Sequence, residues 1–158
     1  MKITRVCTVF LMVVFSVMGG IDSGSTEYSA SFMFLKPEEG DYSQVLMGQV
    51  GFFAGSWLEV LGKVIWYGDE GNTRGTIGGG VDIHLTPHQE LVPYLGAGLL
   101  TSIGNVDLAE DTILDLHIGL KYFVTDSTSV NYSLNQWRDT GPSDTTYFVG
   151  MIGISVCL

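Results

Sequence analysis

Residues 92–100 read "VPYLGAGLL". The stretch has the apolar character of a β-strand, yet it contains Pro93, Gly96 and Gly98. Strands normally exclude both residue types, because proline cannot donate a ladder hydrogen bond and glycine has no side chain to pack. Side chains alternate across a strand, so Gly96 and Gly98 share one face while Leu95, Ala97 and Leu99 share the other. A strand of this kind has one face pressed against something crowded and one face that is uniformly apolar.

The same alternation recurs along the chain. Eight segments of period-2 character follow Ser25, at approximately 25–36, 44–54, 58–67, 74–86, 91–103, 112–124, 128–137 and 145–158. No helical periodicity competes with them over a comparable length. In the sixth, Leu114, Leu116, Ile118, Leu120 and Tyr122 oppose Asp115, His117, Gly119 and Lys121. In the fourth, Ile77, Val81, Ile83 and Leu85 oppose Arg74, Thr76, Gly78, Gly80, Asp82 and His84. In the seventh, Val130, Tyr132 and Leu134 oppose Ser129, Asn131, Ser133 and Asn135. The first sets Phe32 and Phe34 against Glu27, Ser29 and Ser31, and the third sets Val60, Val64 and Trp66 against Glu59 and Lys63. In the eighth, Phe148, Ile152, Ile154, Val156 and Leu158 share a face. Only the second is ambiguous, since Gln49 is its sole clear polar inward candidate.

The connections alternate too. Those after the first, third, fifth and seventh segments read as longer and acidic ("PEEGDYS", "GDEGNT", "GNVDLAED", "RDTGPSD"). The others read as tight ("GS", "PHQE", "DST"). Regular spacing with turn signals implies consecutive antiparallel hairpins, an up-and-down meander that closes on itself.

Two barrels produce such faces. A soluble, secreted barrel binding an apolar ligand turns its apolar face inward. A membrane barrel turns that face to lipid and fills its lumen with the polar one. Three features favour lipid. The polar face is rich in Gly and Ser, as a narrow eight-stranded interior requires. Aromatic residues (Tyr28, Phe34, Trp57, Trp66, Tyr122, Trp137, Phe148) lie near segment ends, as interfacial girdles do. Each segment also approaches the roughly 9–11 residues that a tilted strand needs to cross the hydrocarbon. The reading is therefore all-β: an eight-stranded antiparallel up-and-down transmembrane β-barrel. Pro93 then falls at one end of its strand, where water can replace a missing ladder bond.

The one continuous apolar run opens the chain, "MKITRVCTVFLMVVFSVMGG". Lys2 and Arg5 precede it, and Gly19 and Gly20 are small enough to flank a cleavage site. It is too short for the ~20 residues of a membrane-spanning helix and has the layout of a signal-peptide helix. The expected organisation is a leader at 1–19 and a barrel domain at 20–158. Cleavage leaves Cys157 as the last cysteine, so no intrachain disulfide is expected. Lys and Arg total 7 against 17 Asp and Glu, and the leader takes two of the bases and none of the acids. Nucleic acid is thereby excluded as a partner on charge.

"VPYLGAGLL" resembles the P-Y-x-G-x-G strand of the small Gram-negative outer-membrane β-barrel proteins, the OmpA-like or OmpX-like group. "HIGLKYFVTDSTSVNYSL" (residues 117–134) resembles that group's next hairpin, in which a G-x-[RK]-Y strand meets a tight T-[DN] turn. The resemblance implies an even-stranded barrel in the outer membrane, with termini in the periplasm and longer loops outside. Its partners would be outer-membrane lipid, lipopolysaccharide and the barrel-assembly machinery. Chains of this group usually end in an aromatic residue, whereas this one ends "ISVCL".

The expected lumen network comprises Glu27, Glu59, Lys63, Arg74, Asp82, His84, Asp115, His117 and Lys121. Buried charges must pair: Lys63 with Glu59 or a cross-strand neighbour, and Lys121 and Arg74 with Asp115 or Asp82. A proton or ion path along this network is the functional alternative, but eight strands are too few for an open pore. His117, Asp115 and Ser129 or Ser133 are the only elements of a Ser–His–acid arrangement, as a lipid A-modifying enzyme would need. Residues i and i+2 share a face by chance in any alternating strand, so no catalysis is expected. His84 and His88 without a third ligand make a poor metal site, and no metal or cofactor is expected. The acidic loops lack the spacing of a calcium-binding loop, and the surface ligand is left unnamed.

Overall fold

A computed structural model describes residue 21 and residues 23–35, 43–69, 72–103, 112–141 and 146–158. The expected leader lies outside these residues, as do most of the loop acids. Eight strands form a closed barrel in chain order: β1 (Thr26–Leu35), β2 (Ser43–Gly55), β3 (Leu58–Asp69), β4 (Asn72–His84), β5 (Leu91–Ile103), β6 (Thr112–Phe123), β7 (Thr128–Asp139) and β8 (Thr146–Cys157). Every neighbour pair is antiparallel, and β8 returns to β1 through Glu27↔Cys157 to Phe32↔Ile152. Among the described residues no helix is long and apolar enough to cross a membrane, a finding that does not bear on strands. The turns after β2, β4 and β6 lie at the same end as the start of β1 and the end of β8, here termed the turn end. The opposite end is the loop end. One connection there is shorter than its sequence suggests: Asp69 pairs with Asn72, so β3 and β4 zip together to within two residues.

Outward side chains are apolar and exposed around the whole circumference. Leu95 and Leu99 on β5, Ile118 and Leu120 on β6, Tyr132 and Leu134 on β7, and Ile152 and Ile154 on β8 all stand in the open, Ile118 at 59% exposure. Their inward neighbours on the same strands are buried. A continuous outer band of this kind is incompatible with water and matches the lipid-facing belt of a membrane barrel. It also disposes of the soluble alternative, in which Leu116 and Ile118 would be core. Tyr28, Trp57 and Tyr122 lie outward at the turn end, and Trp66 and Phe148 at the loop end. Trp137 departs from the expected girdle. Its parity on β7 carries it inside, where it is buried. The side chain of Phe34 is not among those described.

The ambiguous second strand resolves through its own lumen face. Val45, Met47 and Phe53 are buried inside, while Leu46, Val50 and Phe52 are exposed outside, and Gln49 points inward half-buried. Both faces of β2 are apolar, so alternation carried no information there.

The stretch 92–100 explains itself in place. Gly98 sits at a close approach of β4 and β5: a Cβ on it would come within 2.8 Å of the Gly79 carbonyl oxygen. Gly78 and Gly80 face the same constraint from β4, where a Cβ would strike the Leu99 and Ala97 carbonyls. Gly96 serves a side chain instead, because the Asp82–His117 pair lies directly over it. Pro93 is harmless for a geometric reason. Its carbonyl accepts from Leu85 N–H at 2.9 Å, so its missing N–H also faces β4, where the ladder has already ended at His84↔Tyr94.

Three substitutions, on the two sides of the wall, test this assignment. Ile118→Arg places a charge at mid-height between Leu95 and Leu134 and should cost ~2–4 kcal/mol in lipid vesicles. Gly96→Val should cost about 1–3 kcal/mol through overpacking, whereas outward Ala97→Val should stay within about 0.5 kcal/mol. Denaturant titration of the three variants in vesicles reads all of these.

Candidate functional site: the filled lumen

The lumen is built in three layers. Toward the loop end an apolar layer holds Val45, Met47, Ile65, Leu100, Val149 and Met151, with Trp137 packed among them. Toward the turn end a second apolar layer holds Phe53, Val92 and Cys157, capped by Ile21. Gly24, with φ of 93°, turns the chain from that mouth into β1, and its N–H donates to the Phe53 carbonyl at 2.8 Å. Between the two apolar layers lies a charged one.

The charged layer contains Glu27, Glu59, Lys63, Asp82, His84, Asp115, His117 and Lys121, all buried. Arg74 pairs with Tyr67 on β3, and its side chain lies outside the described residues. The two lysines organise the rest. Lys121 Nζ donates to both Glu27 oxygens at 2.8 Å and to Glu59 Oε2 at 3.2 Å. Lys63 Nζ donates to Asp115 Oδ2 at 2.8 Å. His84 Nε2 lies 3.0 Å from Glu59 Oε2, and His117 Nε2 lies 2.7 Å from Asp82 Oδ1. His117 Nδ1 lies 3.3 Å from Asp115 Oδ2. Trp137 Nε1–H donates to Asp115 Oδ1 at 3.0 Å, and the Cys157 thiol donates to Glu27 Oε2 at 3.5 Å.

These partners differ from the pairings expected along and between strands. Residues i and i+4 on one strand are about 13 Å apart, so Lys63 cannot fold back onto Glu59. It reaches across the lumen to β6 instead, while Lys121 on β6 reaches Glu27 on β1 and Glu59 on β3. In so narrow a barrel the far wall is nearer than the next inward residue but one.

Tyr94 is central and was not anticipated. Its ring stacks on His84 at 5.7 Å between centroids, meets the His117 edge at 6.2 Å, and lies 5.3 Å from Lys121 Nζ. Gly119 leaves the space that the ring occupies. Tyr94 shares parity with Gly96 and Gly98, and that parity was the available signal. The Phe53 ring completes the cage, 5.6 Å from Lys121 Nζ.

The elements of a nucleophilic triad do not converge. Both nitrogens of His117 face carboxylates. Ser129 bonds Asn131 and Ser155 at 2.8 and 2.7 Å, and Ser133 accepts from Asn135 Nδ2 at 2.9 Å. His84 and His88 also part company: His84 is in the charged layer and His88 is exposed in the turn after β4. An open groove beside that turn is lined by Ile21, His88, Glu90, Phe123 and Asp126.

No family model matches the chain, and no curated protein does. Solved structures do match. The N-terminal β-barrel domain of Pseudomonas aeruginosa OprF is 21% identical, with TM-score 0.67 over 86% of this chain and 98% of that one. The outer membrane protein OprG from Pseudomonas aeruginosa is 13% identical, with TM-score 0.65 over 90% and 99%. Neisserial surface protein A is 16% identical, with TM-score 0.58 over 84% and 94%. The chain has the fold of the eight-stranded outer-membrane barrels. At such identities the likeness is one of fold.

The charged layer makes a stability prediction. Lys121→Met strands Glu27 and Glu59 without their cation and should destabilise the barrel by ~3–5 kcal/mol. Adding Glu27→Gln to Lys121→Met should recover part of the loss, because one stranded charge is removed. Denaturation midpoints of the single and double variants in vesicles check both statements.

Proposed function

We propose that this protein is an integral outer-membrane barrel with a structural, envelope-stabilising or surface-interaction role, without conduction or catalysis. The carrying observation is the sealed lumen, a buried ion-paired layer between two apolar layers. An ion entering from either end would have to cross buried hydrocarbon and then displace paired charges, and the Born cost of either step is high. The engaged nitrogens of His117 and the Ser–Asn bonds argue in the same way against a lipid A-modifying enzyme.

In this reading the turn end faces the periplasm and the acidic loop end faces outward. Loop carboxylates there would meet lipopolysaccharide phosphates through bridging cations. The barrel-assembly machinery would read β8, whose outward residues Ile152 and Ile154 are exposed. The short loops suit contact with a lipid surface better than a large protein interface.

Two measurements test this reading. The protein should stay with the outer membrane through a carbonate wash and change its gel mobility on boiling. Purified barrel in planar bilayers should show no unitary conductance in molar KCl. Release as a soluble species overturns the membrane assignment, and reproducible channel steps overturn the sealed-lumen assignment.

A further inference from the structure

We propose that Glu59, Asp82 and His84 form a binding site for one divalent transition-metal ion at the centre of the lumen. The argument starts from charge. Four carboxylates (Glu27, Glu59, Asp82, Asp115) share the buried layer with two lysines. Lys121 holds both oxygens of Glu27, and Lys63 holds Asp115. Glu59 has only a longer share of Lys121, at 3.2 Å, and Asp82 bonds the His117 imidazole. These two carboxylates are also direct cross-strand partners, Glu59↔Asp82, both inward and both at most 1% exposed. Like charges opposed across a ladder repel, and in a buried layer that repulsion is weakly screened. The four carboxylates outnumber the two lysines by two, which is the charge of one divalent ion.

The donor groups are gathered in one place. Glu59, Asp82 and His84 each offer a donor atom, and the three atoms lie within 4.8 Å of one another. Glu59 Oε1 and His84 Nδ1 are buried with no hydrogen-bond partner, and such orphaned atoms call for an explanation. His84 Nε2 faces Glu59 Oε2 at 3.0 Å, and an ion seated among the three residues would replace that contact and take one donor atom from each. One imidazole nitrogen and two carboxylate oxygens suit zinc or manganese, whereas calcium prefers six to eight oxygens. Lys121 can release Glu59 to the ion, since it already has both oxygens of Glu27. The expectation that no metal binds rested on pairing His84 with His88, and the fold supplies a different set of ligands. Apolar clusters lie above and below the charged layer, so the ion is expected to enter while the barrel forms.

The test uses zinc as the probe. The barrel is refolded in detergent with zinc or with EDTA, both samples are stripped over a chelating resin, and bound zinc is counted. Stoichiometric zinc is expected after refolding with zinc, and none when zinc is added only after refolding in EDTA. His88→Ala should retain the ion, while His84→Gln and Glu59→Gln, each verified as folded by gel mobility, should lose it. The wild-type count stands even where a variant fails to assemble. A folded wild-type barrel without zinc overturns the site. Equal zinc retention by folded His84→Gln overturns it as well.

Discussion

An eight-stranded barrel in lipid has an interior only wide enough for its own side chains, and every polar group inside must find its partner there. That constraint accounts for more of this molecule than any local propensity. It explains why the inner face alternates between very large residues and glycine. Tyr94 requires Gly119, the Asp82–His117 pair requires Gly96, and Glu59 leans over Gly51. Each glycine is the negative of a neighbour across the wall. It explains as well why the ion pairs run from wall to wall, because across so narrow a lumen the opposite strand is the nearest source of countercharge.

The same constraint decides what was legible in the sequence. Alternation was readable wherever the two faces differed in polarity, as in β4, β6 and β7, and strand ends there agree with the pattern to within a few residues. It failed in β2, because Val45, Met47 and Phe53 belong to the apolar layers of the lumen, and an apolar lumen residue looks the same as a lipid-facing one. Trp137 misled for a related reason. A tryptophan near a strand end suits a girdle, yet its indole N–H serves Asp115 inside, and only its parity with Asn135 and Ser133 marked it. The members of the charged layer were readable one by one as polar residues on inward faces. Their partners were not, because pairing across the lumen depends on strand stagger around the closed wall, which no single strand records.

The layering has an energetic logic. A polar core reaching both mouths would leave its charges in contact with water, where ion pairs contribute little. Apolar layers at each end remove that water and strengthen every electrostatic interaction between them. The same low dielectric makes any imbalance costly, so the charged layer must be close to neutral in the folded barrel. Glu59 and Asp82 are where that neutrality is least well served by lysine, which makes the Glu59–Asp82–His84 corner the part of the lumen most sensitive to what else it holds.

Low identity to OprF, OprG and Neisserial surface protein A alongside full-length structural overlap follows from the same physics. Lipid asks of the outer face only that it be apolar, so any of several residues serves at each outward position. The inner face is exacting, but its demands are collective: a bulky group here needs a glycine opposite, and a carboxylate here needs a cation within reach. Sets of residues that satisfy these demands together can be exchanged for other sets without moving the backbone. The fold therefore persists while the lumen is rewritten, and the charged layer, more than the wall, is where this chain can differ in function from barrels of the same shape.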